Sequence, residues 1–281
     1  MSALFGERAR AALRERGPLC VGIDPHAALL DAWGLTDDAS GAREFGLRVV
    51  EAAAGRVAFV KPQVSFFERF GSAGIAALEE VLAAARASEL IVIADAKRGD
   101  IGSTMDAYAA AWLTSGSPLE ADAVTVNPYL GVGALDGAFS LAEREGKGLF
   151  VLAATSNPEA AQLQRARVDG GESVSRSIIN EVSERNRRAA GSGEWGSFGF
   201  VIGATVSWQA AGLASFAPTA PILAPGFGAQ GAEPGDLRHR FGSMSDCVIA
   251  SESRSILSAG RDGLAAAIDA RNAQYLEVPR G

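Results

Sequence analysis

Cysteine and histidine are scarce in this 281-residue chain, with two of each. Cys20 and Cys247 are too few for a disulfide framework and read as small buried side chains suited to a reducing cytosol. His26 and His239 have no metal-ligand spacing, and no Cys/His cluster suggests zinc, so neither a metal nor another cofactor is expected. Long apolar runs are also missing: none approaches the roughly 18 residues of a membrane-spanning helix. The first residues carry charge from Glu7 onward without an apolar stretch. They do not read as a secretory signal, and a cytoplasmic location is expected. Positive charge is in deficit, the net being −7, which disfavours nonspecific nucleic-acid binding. The local basic cluster of Arg185, Asn186, Arg187 and Arg188 reads as a solvated face. An anionic ligand would have to be held by a few local Lys or Arg.

What is present is ordinary for a globular protein: 48% apolar and 21% charged residues, enough for a large core. Eight short, almost continuously apolar runs recur, as strands buried on both faces should. They are Leu19–Asp24, Val57–Lys61, Leu90–Asp95, Ala123–Asn127, Leu149–Ala153, Phe198–Gly203, Pro221–Ala224 and Cys247–Ser251. Helical stretches such as Arg43–Ala54 and Ile75–Ala87 lie between them. A strand, a helix and two loops need about 30 residues, close to most of the intervals. The pattern predicts a single (β/α)8 TIM barrel spanning residues 1–281 as one domain, with an open doubly wound sheet as the alternative. The longest interval predicts an extended segment between strands five and six, roughly Asn157–Trp195. Its core, Ser173–Ala190, reads as an amphipathic helix flanked by surface loop. An N-terminal helix is expected to cover one barrel end, and a short tail after Asn272 is expected to be peripheral.

In such a barrel, catalysis sits at the C-terminal ends of the strands. Those ends carry Asp24, Lys61, Asp95 and Asn127, then Thr155-Ser156, Pro225-Gly226 and Ser253-Arg254. Ionisable residues stand where bland strands would carry Val or Ile. The third unit is the densest, running Asp95-Ala96-Lys97-Arg98-Gly99-Asp100-Ile101-Gly102-Ser103-Thr104. Continued strand geometry would point Asp95 and Lys97 to the same side, and Asp100 and Thr104, four apart, would share a helix face. Gly226 to Gly231 matches G-x-G-x-x-G. It follows the seventh strand and soon meets Pro234-Gly235, so it reads as a flexible lid rather than a dinucleotide site.

The spacing Asp95-x-Lys97-x-x-Asp100-Ile101-x-x-Thr104 resembles the signature of the orotidine 5′-phosphate decarboxylase family. Asp24, Lys61 and Pro225-Gly226-Phe227-Gly228-Ala229-Gln230-Gly231 fit the same family, and Val126–Gly131 looks like its longer bacterial branch. The likeness covers roughly residues 19–257. It departs at Ser253, where the family often has Gly, and at Asn127, where shorter branches often carry His.

The resemblance implies loss of CO2 from C6 of a uracil ring, leaving UMP, without a cofactor or metal. It implies a homodimer and an alternating array of Lys61, Asp95, Lys97 and Asp100, with Asp100 supplied by the second subunit. Each carboxylate then lies beside an ammonium, so all four can remain ionised. Lys97 would stabilise the developing carbanion and protonate it. The further residues implied for substrate are Asp24 and Lys61 for ribose, joined by Thr104 from the second subunit, Ser156 at the uracil edge, Gln230 bridging base and phosphate, Arg254 on the phosphate, and also Ile101 and Pro225. Two rivals remain at this stage. A Schiff-base aldolase would need Lys97 or Lys61 as a neutral amine, which flanking carboxylates oppose. A noncatalytic nucleotide-binding barrel would bury many charges for stability alone, which is poor use of them.

Overall fold

In the computed structural model, which describes residues 4–278, all eight apolar runs are parallel strands of one closed barrel in sequence order. The strands are β1 (Leu19–Ile23), β2 (Phe59–Pro62), β3 (Ile91–Arg98), β4 (Ala123–Val126), β5 (Gly148–Ala154), β6 (Phe198–Ile202), β7 (Ile222–Pro225) and β8 (Val248–Glu252). β1 pairs with both β2 and β8, with Leu19 opposite Ala250 and Cys20 opposite Ser251, which closes the ring and excludes the open sheet. The longer helices are α1 (Phe5–Arg16), α2 (Ala39–Ala53), α3 (Gly71–Ala87), α4 (Gly102–Leu113), α5 (Asp136–Glu145), α6 (Val174–Ala189) and α7 (Gly260–Leu276). Among the described residues no helix is long and apolar enough to cross a membrane.

The strands read as nearly continuous apolar runs because alternate residues serve two cores. Val21, Val60, Val92, Val124 and Val151 point outward into the layer shared with the helices. Cys20, Phe59, Ile93, Ala123, Phe150, Leu223 and Ile249 point inward and fill the barrel. Each large side chain so buried contributes about 1.5–3 kcal/mol. The N-terminal helix does cover one barrel end. The Phe5 ring meets Phe150 edge-on with centroids 5.9 Å apart, and Gly148 leaves room for it, since a Cβ there would lie 2.3 Å from that ring.

The region between β5 and β6 differs in part from the sequence expectation. α6 is the barrel's own helix for that unit: the Ser175 hydroxyl donates to Ala153 O (2.6 Å), and Asn186 both donates to and accepts from the Phe198 backbone. Asn186 is therefore buried and does not belong to a solvated basic face, although Arg185 pairs with Asp136 outside. The flank before α6 is not plain loop. It holds the short helical turns Pro158–Ala160 and Ala161–Gln164 and an Arg167–Ser173 bridge. The C-terminal tail also departs from expectation: α7 continues to Leu276, and Tyr275 is only 2% exposed. Residues 279–281 of that tail lie outside the described chain.

Candidate active site

The inward column that fills the barrel continues past the apolar layer. Two residues beyond each core position stand Gly22, Lys61, Asp95, Thr125, Leu152, Pro225 and Ser251. Strand periodicity alone thus carries a lysine, an aspartate and a threonine to the C-terminal mouth, where a cavity of about 610 Å³ opens. Its floor is apolar (Leu152, Val201, Leu223) and its walls are charged.

Lys61 Nζ lies 3.1 Å from Asp95 Oδ2 and 3.9 Å from Asp24 Oδ1, while Lys97 Nζ lies 2.6 Å from Asp95 Oδ1. Lys61 and Asp95 are buried, whereas the Lys97 side chain is about half open to the cavity mouth. Burial alone would push the Asp95 carboxyl up, but the two ammonium groups outweigh it and hold it well below the usual carboxylate range. Burial would likewise lower Lys61, yet Asp95 and Asp24 outweigh it and raise its pKa. The Cys20 thiol below the array is pushed up to about 12, first by burial, and stays a neutral filler.

Asp95 and Lys97 do meet on one side, though not by simple strand alternation. The β3–β4 pairing shifts register between Ala94 and Arg98, and Lys97 adopts a left-handed backbone with φ +50°. A side chain there costs roughly 1–2 kcal/mol relative to ordinary backbone. Thr125, fully buried on β4, supports this arrangement. Its hydroxyl donates to Asp95 Oδ1 (2.9 Å) and accepts from the Lys97 N–H (2.9 Å). Gln63 adds a second brace, donating to Asp95 O (3.2 Å) and accepting from Lys61 Nζ (3.4 Å). Neither Thr125 nor Gln63 stood out in the sequence; the available signal was a hydroxyl at an inward position of Ala123–Val126.

Asp24, Ser156, Pro225, Gln230 and Arg254 all line the same cavity. Asp24 Oδ1 is buried without a hydrogen-bond partner among the described residues and faces the Lys61 ammonium at 3.9 Å. The Ser156 hydroxyl donates to Gln230 Oε1 at 3.4 Å, so the loops after β5 and β7 touch across the mouth. Arg254 is exposed at the rim and makes no ion pair among the described residues. Ser253 fits because residue 22 is glycine: a Cβ at Gly22 would lie 2.8 Å from Ser253 Cβ.

The loop after β7 is less loose than a flexible lid implies. Gly228 N–H donates to Ala232 O (2.7 Å), Ala232 N–H to Gly226 O (3.2 Å), and Phe227 and Ala232 are buried anchors. Only its tip, residues 229–231, is exposed. Gly226 and Gly228 take φ of +117° and +67°, which explains their residue type.

Asp100, Ile101 and Thr104 lie outside this cavity on the same chain. Asp100 precedes α4, which starts only at Gly102, and its Oδ1 accepts the Ile101 N–H (2.8 Å). Asp100 and Thr104 therefore do not share a helix face. The loops after the paired strands β3 and β4 carry exposed apolar side chains, Ile101 on the first and Tyr129 and Leu130 on the second, 62%, 72% and 53% exposed. Asn127 does not line the cavity either and closes a local turn by accepting the Tyr129 N–H. His26 packs against Phe66 with centroids 4.1 Å apart, and His239 is exposed.

Comparison with known proteins gives a consistent picture. Residues 17–269 match the model of the orotidine 5′-phosphate decarboxylase / HUMPS family. The chain is 54% identical over 258 residues to an orotidine 5′-phosphate decarboxylase of Salinispora arenicola, covering 92% of this chain and 91% of that one. It is 52% identical over 260 residues to that of Streptomyces coelicolor, covering 92% and 91%. Among solved structures, the Leishmania donovani OMP decarboxylase superposes with a TM-score of 0.77 at 29% identity, covering 98% and 100%.

Proposed function

The chain belongs to the orotidine 5′-phosphate decarboxylase / HUMPS family, and from that premise we propose how the mouth of its barrel converts orotidine 5′-phosphate to UMP and CO2. The enzyme is a carboxy-lyase, and its product places it at the step that completes UMP in pyrimidine synthesis.

The difficulty of the reaction is a C6 carbanion that the uracil ring delocalises poorly. The observation that carries the mechanism is the interleaving of Lys61, Asp95 and Lys97 within 3.1 Å contacts at the cavity wall. As the bond from C6 to the carboxylate breaks, its electron pair stays on C6 and CO2 leaves. The Lys97 ammonium, fixed beforehand by Asp95 and by the left-handed backbone, faces that developing charge and stabilises it without reorganising. It then gives a proton to C6, and its exposed position lets solvent return one to the amine. Asp95 sits beside the departing carboxylate. Two like charges about 4 Å apart at an effective dielectric near 20 repel by roughly 4 kcal/mol. Stabilisation by Lys97 is the larger contribution, because its attraction strengthens as negative charge moves onto C6.

Asp24, which lines the cavity beside Lys61, takes a ribose hydroxyl. Ser156 and Pro225 contact the base, Gln230 spans base and phosphate, and Arg254 offers a planar fork for phosphate oxygens. Loops after strands seven and eight are where this architecture usually binds phosphate. Asp100, Ile101 and Thr104 complete the site of a second copy. The exposed apolar side chains Ile101, Tyr129 and Leu130 on the loops after the paired strands β3 and β4 support this, since they leave apolar surface there for a second copy to cover. The charges raising the pKa of Lys61 run against an aldolase reading, which needs a neutral amine. A cytoplasmic location fits the two free, buried cysteines.

Purified protein mixed with orotidine 5′-phosphate and EDTA, followed by ultraviolet absorbance, tests the reading. Conversion to UMP is expected; a protein that binds UMP but leaves the substrate unchanged would contradict it.

A further inference from the structure

Glu252 ends β8 at an outward position, where the strand otherwise carries Val248 and Ala250. It is 1% exposed, and three side chains converge on it. Arg271 Nε (2.7 Å) and the Tyr275 hydroxyl (2.6 Å) donate to Oε1, and the Ser255 hydroxyl (2.7 Å) donates to Oε2. Arg271 reaches on with Nη1 to Glu233 Oε2 (2.7 Å), where the loop after β7 ends. The same loop rests directly on the cluster: a Cβ at Gly228 would lie 2.5 Å from Glu252 Oε2 and 2.3 Å from Ser255 Oγ. The Phe227 ring packs on Tyr275 with centroids 5.7 Å apart. Ser253 and Arg254 stand in the chain between Glu252 and Ser255.

A buried ion pair is a poor source of stability compared with apolar packing of similar volume. This one, however, ties together the two loops read above as the phosphate grip. It also sets a carboxylate behind the place where a phosphate dianion would bind. That negative charge is tolerable only if neutralised. We propose that Arg271 is a positioning residue for the phosphate subsite: it neutralises Glu252 and, through Glu233, fixes the root of the Gly226–Gly231 loop against Arg254. This rests on the reading of Arg254 and that loop as the phosphate grip.

The test measures kcat/KM on orotidine 5′-phosphate and on orotidine for four variants, with thermal melting to confirm folding. Arg271→Met is expected to lose at least tenfold on the phosphorylated substrate, mostly in KM, and at least fivefold less on the nucleoside. Glu233→Gln, at an exposed position that should not disturb folding, is expected to lose about threefold with the same preference. Adding Glu252→Gln to Arg271→Met removes the uncompensated charge and is expected to recover at least threefold on the phosphorylated substrate. Arg254→Ala serves as the reference. If it discriminates between the substrates while Arg271→Met and Glu233→Gln lose equally on both, or the double variant recovers nothing, the positioning role is overturned and the phosphate reading stands. If Arg254→Ala itself loses equally on both substrates, the phosphate reading fails and takes this proposal with it.

Discussion

Replacing Thr125 with valine removes one hydroxyl from the centre of the charge array and leaves the side-chain outline nearly unchanged. The structure gives that hydroxyl two bonds of 2.9 Å, one accepted from the Lys97 N–H and one donated to Asp95. An N–H left without a partner costs about 1–3 kcal/mol, and a hydrogen bond to a charged group contributes about 1.5–3 kcal/mol. Solvent reaches the Lys97 backbone in part, which favours the lower ends, so a total near 3 kcal/mol is expected. At roughly 2–4 °C per kcal/mol for a chain of this size, the melting temperature should fall by about 6–12 °C. The left-handed Lys97 backbone then loses its anchor, and a displacement of the ammonium by about 1 Å can cost on the order of 100-fold in rate. Steady-state decarboxylation followed by ultraviolet absorbance should therefore show a large fall in kcat with a much smaller change in KM. Thr125→Ser keeps the hydroxyl and should recover most of the rate. If Thr125→Val keeps kcat within about twofold of Thr125→Ser, Lys97 does not depend on this anchor and the reasoning is wrong.

Two further outcomes follow from the same geometry. The folded Asp95 pKa lies below its ordinary value of 3.8, so its contribution to stability is present above that value and lost only as pH falls through the lower folded pKa. Lys61 lies above its ordinary value of 10.5, so its contribution is present below that value and lost as pH rises further. The melting-temperature gap between the wild type and Asp95→Asn should stay open down to about pH 4; closure of the gap near neutrality would show that Asp95 is not held ionised by its neighbours. Subunit sharing can be read by mixing Lys97→Ala with Asp100→Ala, each inactive alone. Random reassociation should restore about one quarter of wild-type activity, since half the dimers would contain one intact site. No recovery after confirmed exchange would place Asp100 outside the partner's site.

The barrel was legible because eight apolar runs sit at spacings that fit successive βα units. The charged strand ends were legible because Lys61 and Asp95 interrupt columns that are otherwise Val, Ile or Phe. What stayed hidden depends on contacts between distant segments. Thr125 looks like an ordinary strand residue until β3 is placed beside it. The left-handed turn at Lys97 leaves no mark in residue type, since the usual glycine is absent. Glu252 sits in the polar run Ser251–Arg254, and of its partners Arg271 carries no local signal while Tyr275 lies in the tail after Asn272 that reads as peripheral. The local expectation for Asp100 and Thr104 failed because the helix begins after Asp100, at a left-handed Gly102.

The central claim is that one pre-positioned ammonium both stabilises and protonates C6, so the most direct measurement is turnover by Lys97→Ala alongside its binding of UMP. Conversion of orotidine 5′-phosphate should be almost abolished while UMP still binds, because ribose and phosphate contacts come from other side chains. A Lys97→Ala enzyme that decarboxylates at the wild-type kcat would contradict the mechanism outright.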